Sequence, residues 1–337
     1  MSSLDDVVKD LNKNFKQEII AHGLEYESTP RVKFSSPRLN YLTYGGLPKG
    51  RLVEFSGDEG SGKTTTALDV VKNIQKEGGK VLWVDVERTL DGDWAEKLGV
   101  DVNSLLYFKP NEQSGEQLLE ATKKILETDE ISMCVLDSIG ALVSAQAYSK
   151  SIEDKTFGGI SAALTLFSKE IIPICARSEC LFIGINQMRD DMNNPYSTGT
   201  TTGGRAWRHN CSVRMEFRKG DYVDDKGVHL PRSCENPSGH IVKVSLIKSK
   251  ICKMNRKIGF YTLNYFNGID IISDLIDIAI LNGKIKQGGA WYSYLDEDGE
   301  VKKIDGVDLK FRGRDELKNA LIKYDELRED IENSLND

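Results

Sequence analysis

The stretch GDEGSGKTT, residues 57–65, limits what this chain can fold into more than any other segment. An apolar, strand-like run (RLVEFSG, 51–57) leads into it, and a segment of helical periodicity, about 63–77, follows. Gly57, Gly60 and Gly62 let the backbone of Asp58, Glu59 and Ser61 curl around phosphate oxygens, so that N–H groups and a helix N-terminus face the negative charge. Lys63 would reach the β- and γ-phosphates and Thr64 would ligate magnesium, with Thr65 beside them. This spacing, between a strand and a helix, predicts a nucleoside triphosphate site.

The rest of the pattern agrees. Strand-like runs at 80–86, 105–110, 131–137 and 180–186 alternate with helix-like segments at about 92–98, 114–128 and 159–178. Buried strands alternating with helices predict an α/β fold with a mainly parallel sheet. After residue 210, CSVRMEFR, GHIVKVSLIKSK and KIGFYTLNY resemble antiparallel strands at the sheet edge. Beyond Gly268 a helical satellite is expected, continuing through a Trp/Tyr-rich hairpin (290–304) to an acidic terminal helix. Leu4, Val7, Val8, Leu11, Phe15 and Ile19 recur at helical spacing, predicting a short amphipathic helix over 4–20.

In a parallel sheet, strand C-termini form the ligand crevice. Asp137 closes MCVLD and is the expected second magnesium ligand. Glu87, in WVDVERTLD, is placed to polarise a water attacking the γ-phosphate. Asp85 competes for that role by position but is expected to face the other way.

Composition bounds the function. The 337 residues are 39% hydrophobic and 29% charged, ordinary for a soluble globular chain. The net charge of −7 argues against a protein that coats nucleic acid generally and leaves a local basic groove open. Eight acidic and four basic side chains in 314–337 supply over half of that charge. None of the six cysteines forms a CxxC, and His229, Cys234 and His240 match no standard zinc spacing. There is no membrane-spanning run and no signal pattern at the N-terminus, so an intracellular, cytoplasmic location is expected.

One segment fits none of these elements. DDMNNPYSTGTTTGG, residues 190–204, has one aliphatic and one aromatic side chain in fifteen residues. A loop of this length without secondary structure of its own is usually functional or disordered.

In order and approximate spacing, GLPKGRLVEFSGDEGSGKTT, VDVERTLD, VLDSIGAL, INQMR, TTTGG and GAWYSY resemble the bacterial and phage RecA recombinases, from about Gly45 to Tyr294. That resemblance implies a RecA-like ATPase core at 38–268, a small α/β C-terminal domain at 269–337 and, at 1–37, a short helix and linker that dock onto the next subunit. It implies ATP and magnesium as cofactors, and a filament on single-stranded DNA that pairs it with homologous duplex DNA. Glu87 would then activate the water, Trp94 would stack on adenine where the family usually has Tyr, and Gln187 would sense the γ-phosphate. Lys248 and Lys250 would reach the neighbouring subunit's ATP; by position alone, two lysines on a predicted edge strand are solvated or guard the edge. Residues 150–158 resemble the first DNA-binding loop and 188–204 the second. Arg189, Tyr196, Thr200, Thr201, Thr202, Gly203, Gly204 and Arg205 are the expected DNA contacts, with Lys169 on the preceding helix and Arg208 adding charge. The resemblance weakens at the N-terminus, at the long 219–240 segment, in RAWRHNCSVR, and at Ala162, where a DNA-contacting Arg is expected. Single-strand-binding or loader proteins are further candidate partners. The alternative reading is a hexameric helicase or motor on the same fold.

Overall fold

The computed structural model describes residues 3–16, 20, 29–148, 159–189, 199–304 and 306–334. The chain divides into two compact units, Met1–Pro30 and Arg31–Asp337. The first holds α1 (Leu4–Phe15), closed at its start by a reciprocal Ser3–Asp6 capping box. It ends at Lys16, in the left-handed region at φ 54, short of the helix predicted to residue 20. None of its residues is buried, and Leu4, Val7, Leu11 and Phe15 stand exposed along it.

In the second unit a short antiparallel pair, Arg31–Val32 with Leu47–Pro48, brackets α2 (Pro37–Thr43). Then come β1 (Leu52–Gly57), α3 (Lys63–Lys76), β2 (Val81–Asp85), α4 (Gly92–Lys97), β3 (Leu106–Phe108), α5 (Gly115–Leu126), β4 (Met133–Asp137) and α6 (Ile160–Ser178). Next are β5 (Leu181–Arg189), β6 (Thr200–Thr201), α7 (Gly204–Asn210), β7 (Val213–Val223), β8 (His229–Leu230), β9 (Gly239–Ser249), β10 (Ile258–Asn264) and β11 (Gly268–Ile269). These strands form one sheet in the order β11-β10-β9-β7-β1-β5-β4-β2-β3, with β8 on β7 and β6 on β5. From β7 to β3 every neighbouring pair is parallel.

The periodicity of two sorts the strand residues onto the two faces. Val53 and Phe55 of β1, Trp83 of β2 and Val135 of β4 join one cluster with Leu68 and Val71 of α3. Leu52, Leu82, Cys134 and Leu136 join the other, with Leu118 of α5 and Leu164, Phe167 and Ile171 of α6. Burial on both faces explains why these strands are almost continuously apolar. At roughly 1.5–3 kcal/mol for each fully buried side chain, Met133, Val135 and Leu136 outweigh the few kcal/mol needed to bury one carboxylate at the tip of β4.

Three expectations need correction. The segment over Val213–Val223 is not an antiparallel edge strand: it pairs in parallel with β1, and antiparallel pairing begins between β7 and β9. Helix α7 returns the chain to the starting end of the sheet, and its seven residues are too few to show a period. In the satellite, β12 (Ile285–Gly288) pairs with β13 (Trp291–Tyr294), and β13 with β14 (Lys310–Arg312), so the aromatic hairpin starts earlier than residue 290. The acidic terminal segment is two helices, Arg314–Lys323 and Asp325–Asn333, separated by Tyr324 in extended conformation.

Helix α8 (Ile271–Leu281) carries the satellite's apolar cluster, with Leu275, Ile276, Ile278 and Ala279 packed against Tyr294, Leu317 and Leu321. It is tied to the core by one buried carboxylate. Asp274 Oδ2 accepts from the hydroxyl of Ser36, which caps α2, and from the Arg38 N–H at 3.2 Å, while Oδ1 has no partner. Burial pushes the Asp274 carboxyl up to about 7. The folded state therefore holds this proton more tightly than the unfolded chain. The stability linked to it is complete below the ordinary carboxylate range and is lost as pH rises through 7. Between pH 5 and pH 8.5 we expect Asp274→Asn to lose less thermal stability than the unsubstituted chain; parallel Tm profiles would refute this.

Candidate nucleotide site and DNA-binding loops

Strand β1 delivers the glycine-rich loop and fixes its first residue. Gly57 has φ 149, and a Cβ there would lie 2.1 Å from the carbonyl oxygen of Phe217 on β7, so only glycine fits this close parallel pairing. Lys63 opens α3 and is 8% exposed. Its ammonium turns back into the loop, donating to the Gly57 carbonyl at 2.9 Å and the Asp58 carbonyl at 2.6 Å. Burial lowers its pKa, and the carboxylates of Asp137, Asp58, Glu87 and Glu59 oppose that shift.

The neighbouring strands add the acidic groups. In the sheet order β1-β5-β4-β2, the tips of β1, β5 and β4 carry Gly57, Gln187 and Asp137. Thr64 donates its hydroxyl to Asp137 Oδ2 at 3.1 Å. Burial, reinforced by Glu87, pushes Asp137 up to about 7. A hydroxyl and a buried carboxylate repelled by a second carboxylate form a hard-oxygen donor set that fits Mg²⁺.

Glu87 lies just past the end of β2, where the Val86 and Glu87 N–H groups both donate to the Asp137 carbonyl, at 2.7 and 3.3 Å. Its carboxylate accepts from the hydroxyl of Ser138 and, at 3.1 Å, from the side-chain amide of Gln187. Asp85 is occupied otherwise: it accepts from the Thr89 and Leu90 N–H groups and from the Tyr107 hydroxyl at 2.7 Å. Burial and this bond push Tyr107 up to about 12. Strand alternation is not what separates the two carboxylates, because residues two apart share a face; β2 stops at Asp85 and the turn redirects Glu87.

A cavity of about 320 Å³ adjoins the loop, lined by Gly60–Thr65, Trp94, His240, Leu263 and Tyr265. The Trp94 indole N–H donates to the Thr65 hydroxyl at 3.3 Å. His240 and Tyr265 were not expected here: they arrive on β9 and just after β10, 146 and 171 residues beyond Trp94, and no local pattern marks them. His240 Nδ1 lies 2.9 Å from the Tyr265 hydroxyl. Burial pushes the imidazole down to about 4, so the ring is neutral at neutral pH. Among the described residues no cluster of three or more His, Cys, Asp or Glu side chains is placed to hold a metal, and His229 faces Asp221.

Of the DNA-loop expectations, 150–158 and 190–198, including Tyr196, lie outside the described residues, as does the side chain of Arg189. The second loop's stem is described: Met188 pairs with Thr201 and Arg189 with Thr200. Thr200 is exposed, but Thr201 is buried and the Thr202 hydroxyl is buried without a partner, so of the three threonines only Thr200 presents its hydroxyl to solvent. Gly203 has φ 96, and a Cβ there would lie 2.5 Å from Leu164 of α6, so glycine lets the stem lie against that helix. After it, Gly204 opens α7 at φ 76. Arg205 and, on α6, Lys169 are exposed, whereas Arg208 turns back to the Gly204 carbonyl at 3.2 Å.

Lys248 lies near the end of β9, past Ser245 where the pairing with β10 stops, and pairs with Arg214 of β7, while Lys250 follows the strand. Lys248 donates to the carbonyls of Arg208 and His209, both at 2.8 Å, and Lys250 to that of His209 at 2.9 Å. The pair caps the carbonyl end of α7. Burial and the adjacent Lys250 lower the Lys248 pKa.

Among the described residues no helix is long and apolar enough to cross a membrane. A solved RadB recombinase structure superposes with a TM-score of 0.50 at 19% identity, over 69% of this chain and 95% of that one, a likeness of fold. The chain is 36% identical to Protein RecA of Chloroherpeton thalassium over 298 residues, covering 87% of this chain and 80% of that protein. It is 32% identical to Protein RecA of Chlorobaculum parvum over 342 residues, covering 100% and 92%. The RecA N-terminal domain family matches residues 2–270, and this chain belongs to the RecA family of ATP-hydrolysing DNA recombinases.

Proposed function

We propose that the chain hydrolyses ATP between adjacent copies of itself in a helical filament on single-stranded DNA, and uses that filament to pair and exchange homologous strands. The observation that carries the reading is the Gln187–Glu87 hydrogen bond, because β5 bears Gln187 at the nucleotide site and runs on into the second loop.

The loop backbone and Lys63 hold the phosphates, with the Lys63 ammonium passing from the Gly57 and Asp58 carbonyls to phosphate oxygens. Thr64 and Asp137 would hold Mg²⁺, which would supply charge neutralisation for the phosphates. Glu87 orients the attacking water and accepts its proton, with Ser138 fixing the carboxylate. Gln187 leaves Glu87 for the γ-phosphate and carries that change along β5 to the loop. Trp94 forms one wall for the adenine. Arg189, Tyr196, Thr200, Gly203, Gly204, Arg205 and Lys169 contact DNA, with Thr201 and Thr202 joining them after the stem rearranges. The exposed apolar face of α1 docks on the next copy. Lys248 and Lys250 leave the end of α7 to meet the neighbouring copy's nucleotide. Single-strand-binding and loader proteins are partners of such a filament, and its place of work is the cytoplasm. Strand exchange, and not duplex unwinding, is the expected activity.

Glu87→Gln is expected to lower turnover by about 10²- to 10⁴-fold, the range for losing a general base, while ATP-dependent DNA binding persists. Loss of both would remove Glu87 from that role. Single-stranded DNA should raise the ATPase rate, and the stimulation should fade between about 50 and 200 mM salt as phosphate contacts weaken. A rate indifferent to DNA would overturn the recombinase reading. Replacing Lys248 by Ala should lower kcat at saturating ATP; a fall in DNA affinity alone would mean that the lysine acts only through α7.

A further inference from the structure

Beneath the second loop lies a carboxylate that the nucleotide chemistry does not use. Glu54 is in the middle of β1, on the face that Leu52 contributes to an apolar cluster, and it is completely buried. An ionised side chain there needs strong compensation. Three elements supply it. Asn186 of β5 donates its amide to Oε1 at 2.9 Å, Trp207 of α7 donates its indole N–H to the same oxygen at 3.1 Å, and Arg214 of β7 forms an ion pair with Oε2.

The backbone is shaped to admit this cluster. A Cβ on Gly184, which pairs with Glu54 across the β1–β5 ladder, would lie 2.5 Å from the Trp207 ring. The bridge also continues outward. The Asn186 amide donates to the Thr202 carbonyl at 2.8 Å, and its side-chain oxygen accepts from the Gln187 N–H at 3.0 Å. Glu54 thus joins the strand that ends at Gly57, the residue beside Gln187, and the stem by which the second loop returns.

Such a buried ion pair gives little net stability over well-packed apolar side chains, so its presence calls for another reason. The Thr202 hydroxyl is buried without a partner, so the stem leaves a polar group unmet in this arrangement. We propose that Glu54 is a positioning residue for DNA-stimulated hydrolysis: its bridge through Asn186 transmits the placement of the loop stem to Gln187, and so to Glu87. This rests on the DNA-dependent ATPase reading above.

The test compares the unsubstituted chain with Glu54→Gln, with Trp207→Phe, and with the double replacement of Glu54 and Arg214 by Met, which removes both charges together. ATP hydrolysis is measured with and without saturating single-stranded DNA, alongside DNA affinity in a non-hydrolysable ATP analogue. We expect KM for ATP without DNA to stay within about threefold and the DNA-saturated kcat to fall about tenfold in Glu54→Gln and in the double variant, a coupling loss within the usual range for communicating sites. Trp207→Phe, which keeps the packing and deletes one donor, should fall less. A ratio of stimulated to basal rate that is unchanged in the folded double variant, or in Trp207→Phe should the others not fold, overturns the proposal while the recombinase reading stands. No stimulation in the unsubstituted chain overturns both.

Discussion

The parallel pairing of β1 with β5 and β7 is the constraint from which the site follows. Its register sets Gly57 opposite Gln187 on one side and Phe217 on the other. With β5 next in the sheet and β4 beyond it, the glycine-rich loop, the Gln187 amide and the Asp137 carboxylate reach the same edge of the sheet, where the proposed chemistry needs them. Each tip is held by the apolar strand behind it, whose burial is worth far more than the few polar groups at the tip cost. The absence of a side chain at Gly57 is part of the same constraint, because the β7 backbone approaches too closely for a Cβ.

The electrostatics of that edge are unbalanced by design of the sheet. Asp137 and Glu87 lie near each other, Asp85 is close behind, and burial adds to their mutual repulsion at Asp137. Lys63, the nearest cation, is itself desolvated and donates to two carbonyls. A dication bound between Thr64 and Asp137, together with a phosphate chain against Lys63, would offset both deficits together, so metal and nucleotide favour one another's binding. Glu87 is held instead by the Ser138 hydroxyl and the Gln187 amide, which fix the carboxylate that the proposed mechanism uses as base.

Much of this was legible in the sequence. The glycine-rich loop, Thr64, Asp137 and Glu87 follow from strand–loop–helix spacing and from carboxylates at strand ends, which are local signals. What escaped was non-local. His240 and Tyr265 meet Trp94 only because β9 and β10 fold back beside β7, and nothing near either residue in the chain announces it. The parallel course of β7 escaped because its alternating burial is the pattern of a half-solvated antiparallel strand, and the short α7 hid the crossover. Glu54 escaped for a related reason: a lone acidic residue in LVEFSG reads as a solvent-facing position, and only the converging donors of three distant elements make its burial tolerable.

The same converging elements explain why α7, though only seven residues long, has such weight in the fold. Its Trp207 is completely buried, edge-on to Phe182 with ring centroids 6.2 Å apart, and bound to Glu54. Its carbonyl end is capped by Lys248 and Lys250, and its N-terminal glycines are the end of the second loop. A helix this short has little stability of its own, so these tertiary bonds hold it in place. Any force that draws the two lysines away uncaps its last turn, and any movement of the stem strains its link to Glu54. The helix is therefore marginal on its own and secured at both ends by groups from other parts of the fold, the property that the proposed coupling of DNA at one end to nucleotide at the other would require.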